Sequence, residues 1–270
     1  MPHTELEYPK QPYGTVKRYS PRATYALRTI HSIINTSPIL HVSFNVPNSP
    51  FPNILPMLGQ MASFARPSAD EGNVLDLYLH GYVSSRLMHT SRDVMNDSPE
   101  GMPVCVAASH VDGLVMALTP NSHSYNYRSA VLFGFAAVVN DHAERMFAME
   151  LITNGVVPGS WSNTRLPPNN AELSSTSVLK VTITTGSAKI RSGPPADEKN
   201  DKENVKVVNK VWSGVVPVYQ TLGKPVPGPY NVVDTPSYIT DFVKDRNEDA
   251  QEHAIRAATR TADIKAGPDQ

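Results

Sequence analysis

Residues 77–89, LYLHGYVSSRLMH, gather four side chains able to do chemistry: His80, Ser84, Ser85 and Arg86. The first half alternates large apolar and aromatic residues as a strand does, and the second spaces Leu87, Met88 and Val94 as a helix does. Hydroxyls and a guanidinium at the head of a helix can hold an oxyanion such as phosphate. Unpaired N–H groups and the positive end of the helix dipole add to their hydrogen bonds. The same residues also suit a plain helix start, with Ser84 as N-cap and Arg86 in solvent. A histidine ending the strand can relay a proton near neutral pH, or only hydrogen-bond within the sheet wall. The local sequence leaves both readings open.

Further polar groups lie outside this stretch. Tyr127, Arg128 and Ser129 open a strand, where Arg128 could reach a phosphate, cross to a second subunit, or sit as a plain surface arginine. Lys189 and Arg191 flank the end of a long strand and could meet a phosphate or a partner. Other chemistries are missing. No GxGxxG follows a strand, no GxxxxGK[ST] occurs, and there is no GxSxG elbow. The nine histidines form no HExxH or close zinc-type pair, so no metal site is expected. His41, His80, His110 and His123 are open as axial haem ligands, with no signature to choose among them. The single cysteine, Cys105 in PVCVAA, rules out an intramolecular disulfide and reads as a small buried hydrophobe.

The elements that must position these residues are mostly strands. Residues 1–19 read as an irregular arm. A helix is expected over 21–35, with Ser20-Pro21 at its start and Leu27, Ile30, Ile33 and Ile34 on one face. Strands follow at 38–46, 53–64 and 74–82, the second interrupted by Pro56, which implies an edge or bulge. Residues 102–112 and 114–120 read as a hairpin turning at Asp112-Gly113. A strand at 127–140 carries Gly134 for close packing. The capping-box pattern Asp141–Glu144 then starts a helix running to Asn154-Gly155, and another strand spans 177–191. Residues 192–206, SGPPADEKNDKENVK, lack large apolar side chains and read as an exposed, mobile loop. A last helix is expected near 236–246, with a disordered AGPDQ at the end.

Six or seven strands with two or three helices predict a mainly β fold with flanking helices, an antiparallel barrel in one domain. The division is an arm at 1–19, a barrel domain at 20–230 that includes the 192–206 loop, and a C-terminal extension at 231–270. A net charge of −1 provides no basic field for nucleic acid or a membrane surface. No apolar run of about 18 residues is present to span a bilayer, and the polar, proline-rich beginning lacks a secretory core. A cytoplasmic location is therefore expected.

The order of YLHGYVSSRLMH, YRSAVLFGFAAVV, the capped helix, KIRSGPP and VWSGVVPVY resembles the split-barrel superfamily of pyridoxamine 5′-phosphate oxidase. Its nitroimidazole-reductase-like, flavin-nucleotide-binding branch is the nearest likeness, over about residues 16–220. The resemblance implies a six-stranded antiparallel split barrel that forms a homodimer, with FMN in each of two interface clefts. It places the FMN phosphate on Ser84, Ser85 and Arg86, the isoalloxazine edge along Ile54 and Leu55, and His80 near the ring or ribityl chain. Arg128, Lys189 and Trp212 join this cofactor-binding set, Trp212 as an aromatic beside the other subunit's flavin. The implied function is an FMN-dependent oxidoreductase on a small-molecule substrate, with electrons from NAD(P)H and His80 as catalytic proton relay. The basic, histidine-containing tail of the named oxidase is not recognisable at this C-terminus, which argues against pyridoxamine phosphate itself as substrate. Three alternatives remain: a non-catalytic flavin carrier, a haem-binding relative, or a cofactor-free module.

Overall fold

The structure is a computed structural model that describes residues 5–260. After a short 3-10 turn at Ser20–Arg22, the regular elements run in chain order as β1 (Ala23–Thr24), α1 (Leu27–Thr36), β2 (Leu40–Phe44), β3 (Asn53–Ala62) and β4 (Asp76–Tyr82). Then come α2 (Arg86–Asp97), β5 (Met102–Met116), β6 (Ser124–Val138), α3 (His142–Val156), α4 (Asn170–Ser175) and β7 (Thr176–Arg191). The chain continues through α5 (Lys199–Lys202), α6 (Val205–Val208), β8 (Gly214–Pro217) and α7 (Ser237–Thr259). The strands join in the order β1-β7-β4-β3-β2-β5-β6, and β6 also pairs with β7. That pairing closes β2–β7 into a six-stranded antiparallel barrel, the fold the sequence predicts. β8 adds to β5 outside the circuit.

Residue contacts group the chain into two compact units, residues 5–109 with 129–188 and residues 110–128 with 189–260. In the first unit, strand alternation sets the core. Leu40, Val42 and Phe44 of β2 are buried, and Val42 and Phe44 face Val106 and Val104 of β5. Leu77 and Leu79 of β4 stand opposite Val181 and Leu179 of β7. The other face of β4 presents Tyr78, which packs with Val178, Val139 and the α3 residues Ala148 and Ile152. Burying one such apolar side chain contributes roughly 1.5–3 kcal/mol. α1 buries Leu27, Ile30, Ile33 and Ile34, one stripe at helical spacing. The capped start of α3 forms as read, with Asp141 accepting from the N–H of Glu144. A Cβ on Gly134 would stand 2.3 Å from the Thr182 carbonyl oxygen, so only glycine fits β6 there. Pro56 sits where β3 has one strand neighbour. It faces His41 of β2, while pairing with β4 covers only Leu58–Ala62.

The second unit corrects three expectations. Asp112-Gly113 is not a turn, because β5 runs unbroken to Met116 and the chain reverses around the 3-10 turn Pro120–Ser122. Gly113 pairs with Pro217 of β8, and a Cβ there would come 2.8 Å from Val215. The glycine therefore serves close strand approach. The 192–206 segment is largely exposed, yet it contains α5 and part of α6. Its Asp197 accepts from the N–H of Leu118 and from the Ser213 hydroxyl. α7 extends well past the expected 236–246, to Thr259. The AGPDQ end lies outside the described residues.

Candidate functional site

β4 ends at Tyr82, and the chain turns with Val83 N–H donating to Ser175 O (2.9 Å) and Ser85 N–H to Tyr82 O (2.9 Å). Ser85 is the N-cap of α2, its hydroxyl accepting from the N–H of Met88 at 3.5 Å. Leu87 and Met88 then bury completely and anchor the first turn. Capping thus consumes Ser85 alone. Ser84 and Arg86 remain exposed at the helix start. Among the described residues Arg86 has no carboxylate partner, and its contact is a long 3.4 Å hydrogen bond to Asn53 Oδ1. An uncompensated guanidinium and a spare hydroxyl at a helix N-terminus suit an oxyanion.

Asn53 begins β3, so that contact brings the head of α2 beside Ile54 and Leu55. Ile54 is 60% exposed, and Leu55 lies across from the fully buried Val42. From Asn53 to Met57 the strand pairs with β2 but not β4, which leaves open backbone on one side for a ligand's polar edge. His80 sits on β4 opposite Leu58 of β3 and Val178 of β7. Its Nδ1 is buried and has no hydrogen-bond partner among the described residues. Burial pushes the imidazole pKa below its ordinary value, so the ring is neutral at pH 7. A neutral imidazole with an uncommitted nitrogen can exchange a proton with a bound molecule or ligate a metal. The other histidines open as axial ligands differ. His41 is exposed, His123 is exposed with Nδ1 3.0 Å from Thr119 O, and His110 is half-buried on β5.

Ile54, Leu55, His80, Ser84, Ser85 and Arg86 therefore fall together in the first unit. Arg128, Lys189 and Trp212 belong to the second. Arg128 grips Asp112 with both ends of its guanidinium, Nε at 3.0 Å and Nη2 at 2.9 Å, and Asp112 is 4% exposed. His253 Nε2 lies 3.6 Å from the same carboxylate. Burial alone would raise the Asp112 pKa; His253 and Arg128 outweigh it and hold the carboxyl below its usual range. Arg128 is thus committed to a buried carboxylate that sequence reasoning had assigned to a turn. No local pattern signals that pairing. Lys189 is half-buried on β7. Trp212 is 64% exposed, with its ring against Gly214.

Comparison with known proteins agrees with this architecture. The family described as pyridoxamine 5′-phosphate oxidase matches residues 27–190, well over half of the chain. Among solved structures, the flavocytochrome Anf3 from Azotobacter vinelandii is 29% identical with a TM-score of 0.70. That match covers 86% of this chain and 97% of that one. The FAD and heme binding protein from Mycobacterium smegmatis is 22% identical with a TM-score of 0.65, over 82% of this chain and 97% of that one, a likeness of fold. No curated protein matches. By the family match across β2–β7, this chain belongs to the pyridoxamine 5′-phosphate oxidase family of split barrels.

Proposed function

We propose that the chain is a flavin-binding oxidoreductase, with FMN as the first candidate cofactor, acting on a small organic molecule with electrons from NAD(P)H. The observation that carries this reading is the head of α2. There Ser84 and Arg86 stand exposed, with no acidic partner for Arg86 among the described residues, beside the half-paired start of β3. Ser84, Arg86 and the first N–H groups of α2 would bind the flavin phosphate. The open backbone of Ile54 and Leu55 would orient the ring edge. His80, neutral and short of one partner, would hold or pass a proton at Nδ1. Bound flavin supplies two-electron redox chemistry; the protein supplies position, electrostatics and exclusion of water. A second copy of the chain would complete the cleft.

A haem reading has its own support. A buried, uncommitted imidazole nitrogen is the donor that haem iron takes, and the Azotobacter protein that this chain resembles over most of its length is a flavocytochrome. His80 is the ligand we assign in that case, and flavin and haem need not exclude one another. An absorbance spectrum of the purified protein, before and after adding FMN, FAD and hemin, tests both readings. Flavin bands that bleach anaerobically with NADPH support the oxidoreductase. A Soret band lost in His80→Ala supports the haem ligand. A protein that stays colourless with all three overturns the proposal.

A further inference from the structure

A cavity of about 430 Å³ in the first unit lies between α2, α3, α4 and the ends of β4, β6 and β7. Two arginines line it, Arg92 from α2 and Arg145 from α3, and no aspartate or glutamate does. Arg92 donates through Nη2 to Val83 O (3.0 Å) and Ser177 Oγ (3.0 Å). Arg145 donates through Nη2 to Leu173 O (3.0 Å). Among the described residues, Nε and Nη1 of both side chains have no protein partner, and neither guanidinium has a carboxylate within salt-bridge distance. Three carboxylates nearby in sequence are engaged elsewhere, and Asp93, next to Arg92 on α2, is exposed and forms no ion pair among the described residues. Glu144 takes Lys180 and the Tyr78 hydroxyl, Glu172 takes Arg165 and the Asn169 N–H, and Asp141 caps α3.

Two half-buried cations without counter-charge are costly to hold together unless an anion joins them. Both guanidiniums keep donors for an oxyanion: Arg92 offers Nε–H and Nη1–H singly, and Arg145, whose Nη2 gives one bond, keeps a two-donor fork. Hydroxyls of Ser174 and Thr176 sit at the same wall, while Val138, Val139 and Leu173 supply apolar surface. The volume falls within the roughly 300–1,000 Å³ range of small-molecule sites and exceeds what one phosphate ion fills. We propose that this cavity is a binding site for a phosphate monoester with a small organic body, separate from the seat at the head of α2. Arg92 and Arg145 clamp the phosphate; the valines and Leu173 receive the organic part. This assignment does not depend on the flavin reading.

The test is calorimetric titration of the full chain with phenyl phosphate in phosphate-free buffer, with benzoate as the carboxylate arm, both with and without saturating FMN. Saturable phenyl phosphate binding is expected, unchanged by FMN, and weakened about tenfold or more in Arg145→Gln and in Arg92→Gln. Ser174→Glu guards against misfolding in those variants, since Ser174 is exposed and its hydroxyl donates only to Ala171 O. It should abolish binding while leaving the melting temperature unchanged. Absence of saturable binding overturns the site, and so does wild-type affinity in the folded variants. Equal or tighter binding of benzoate overturns the phosphate assignment. Competition by FMN overturns the separateness of the site and identifies the cavity with the flavin phosphate instead.

Discussion

His31 and His80 are both withdrawn from water in the same unit, yet they differ in how many of their nitrogens are answered. His31 on α1 is fully buried. Its Nδ1 donates to Glu71 O at 2.7 Å, and its Nε2 accepts from the Tyr8 hydroxyl at 2.6 Å. The carbonyl can only accept, so the chemistry of the partners assigns the tautomer. Burial lowers the His31 pKa to about 4 and raises that of Tyr8, which locks both groups neutral. His80 is also depressed by burial, but its Nδ1 meets no protein group among the described residues. The lesson is that burial and a shifted pKa do not by themselves mark a functional group. An unanswered donor or acceptor narrows the choice instead, to His80 Nδ1 and His253 Nε2 among the described residues, because there the chain accepts a desolvation cost without recovering a hydrogen bond.

The same contrast separates the arginines. Arg128 is held bidentately by a buried carboxylate, whereas Arg86 stands exposed at a helix start. The largest expected effect therefore belongs to Arg128→Ala. It leaves Asp112 buried without its main counter-charge and should cost about 3–5 kcal/mol in urea unfolding. A loss below about 1 kcal/mol would show that the pair is not structural.

Next comes His31. Its folded pKa lies below the unfolded value, so the unfolded chain binds the extra proton first. The stability it confers is fully present above about pH 6.5 and is lost as pH falls toward 4, by about 3 kcal/mol across that window. The His31→Phe variant should already be weaker by about 2–3 kcal/mol at pH 7, with the Tyr8 hydroxyl left unpaired, and should show a flatter acid limb. If the variant loses stability in acid as steeply as the parent, His31 is not the group that titrates.

Arg86→Ala should leave stability within about 0.5 kcal/mol and weaken FMN binding ten- to a hundredfold, the scale of a lost charge-assisted hydrogen bond of about 1.5–3 kcal/mol. Unaltered affinity in fluorescence titration would remove Arg86 from the phosphate seat. His80→Phe should likewise stay within about 1 kcal/mol of the parent, because it deletes a polar atom that no protein group answers. Its consequence should appear in turnover or in a missing Soret band. A stability loss matching that of His31→Phe would erase the distinction between the two histidines.

Much of the fold was legible because its signals are local. Alternation in β2, the apolar stripe of α1, the Asp141 cap and the order of motifs around residues 77–89 each involve neighbours a few positions apart. Those short-range patterns led to an antiparallel barrel of six or seven strands and to the α2 turn as the place to look, and the family resemblance implied six strands. Even so, Asp112-Gly113 deceived the reading. The pair has ideal hairpin composition, but β8 and Arg128 supply partners that keep β5 extended. The 192–206 run, read from polarity alone, likewise acquires short helices and a fixed Asp197.

What the sequence by itself determined, then, is which stretches become strands and helices, not where each starts: the first long helix, expected from 21, begins at Leu27 after a 3-10 turn at Ser20–Arg22, and Ser85 rather than Ser84 caps α2. Tertiary structure decided which polar groups find each other. His31 meets Glu71 across 40 residues, Tyr78 meets Glu144 across 66, and Arg128 meets Asp112 across 16. Periodicity carries no information over such spans, because a side chain's face depends on its own element while its partner depends on how elements pack. For the same reason the unanswered nitrogen of His80 and the uncompensated arginines around the α2–α3 cavity emerge only once every other partner has been placed.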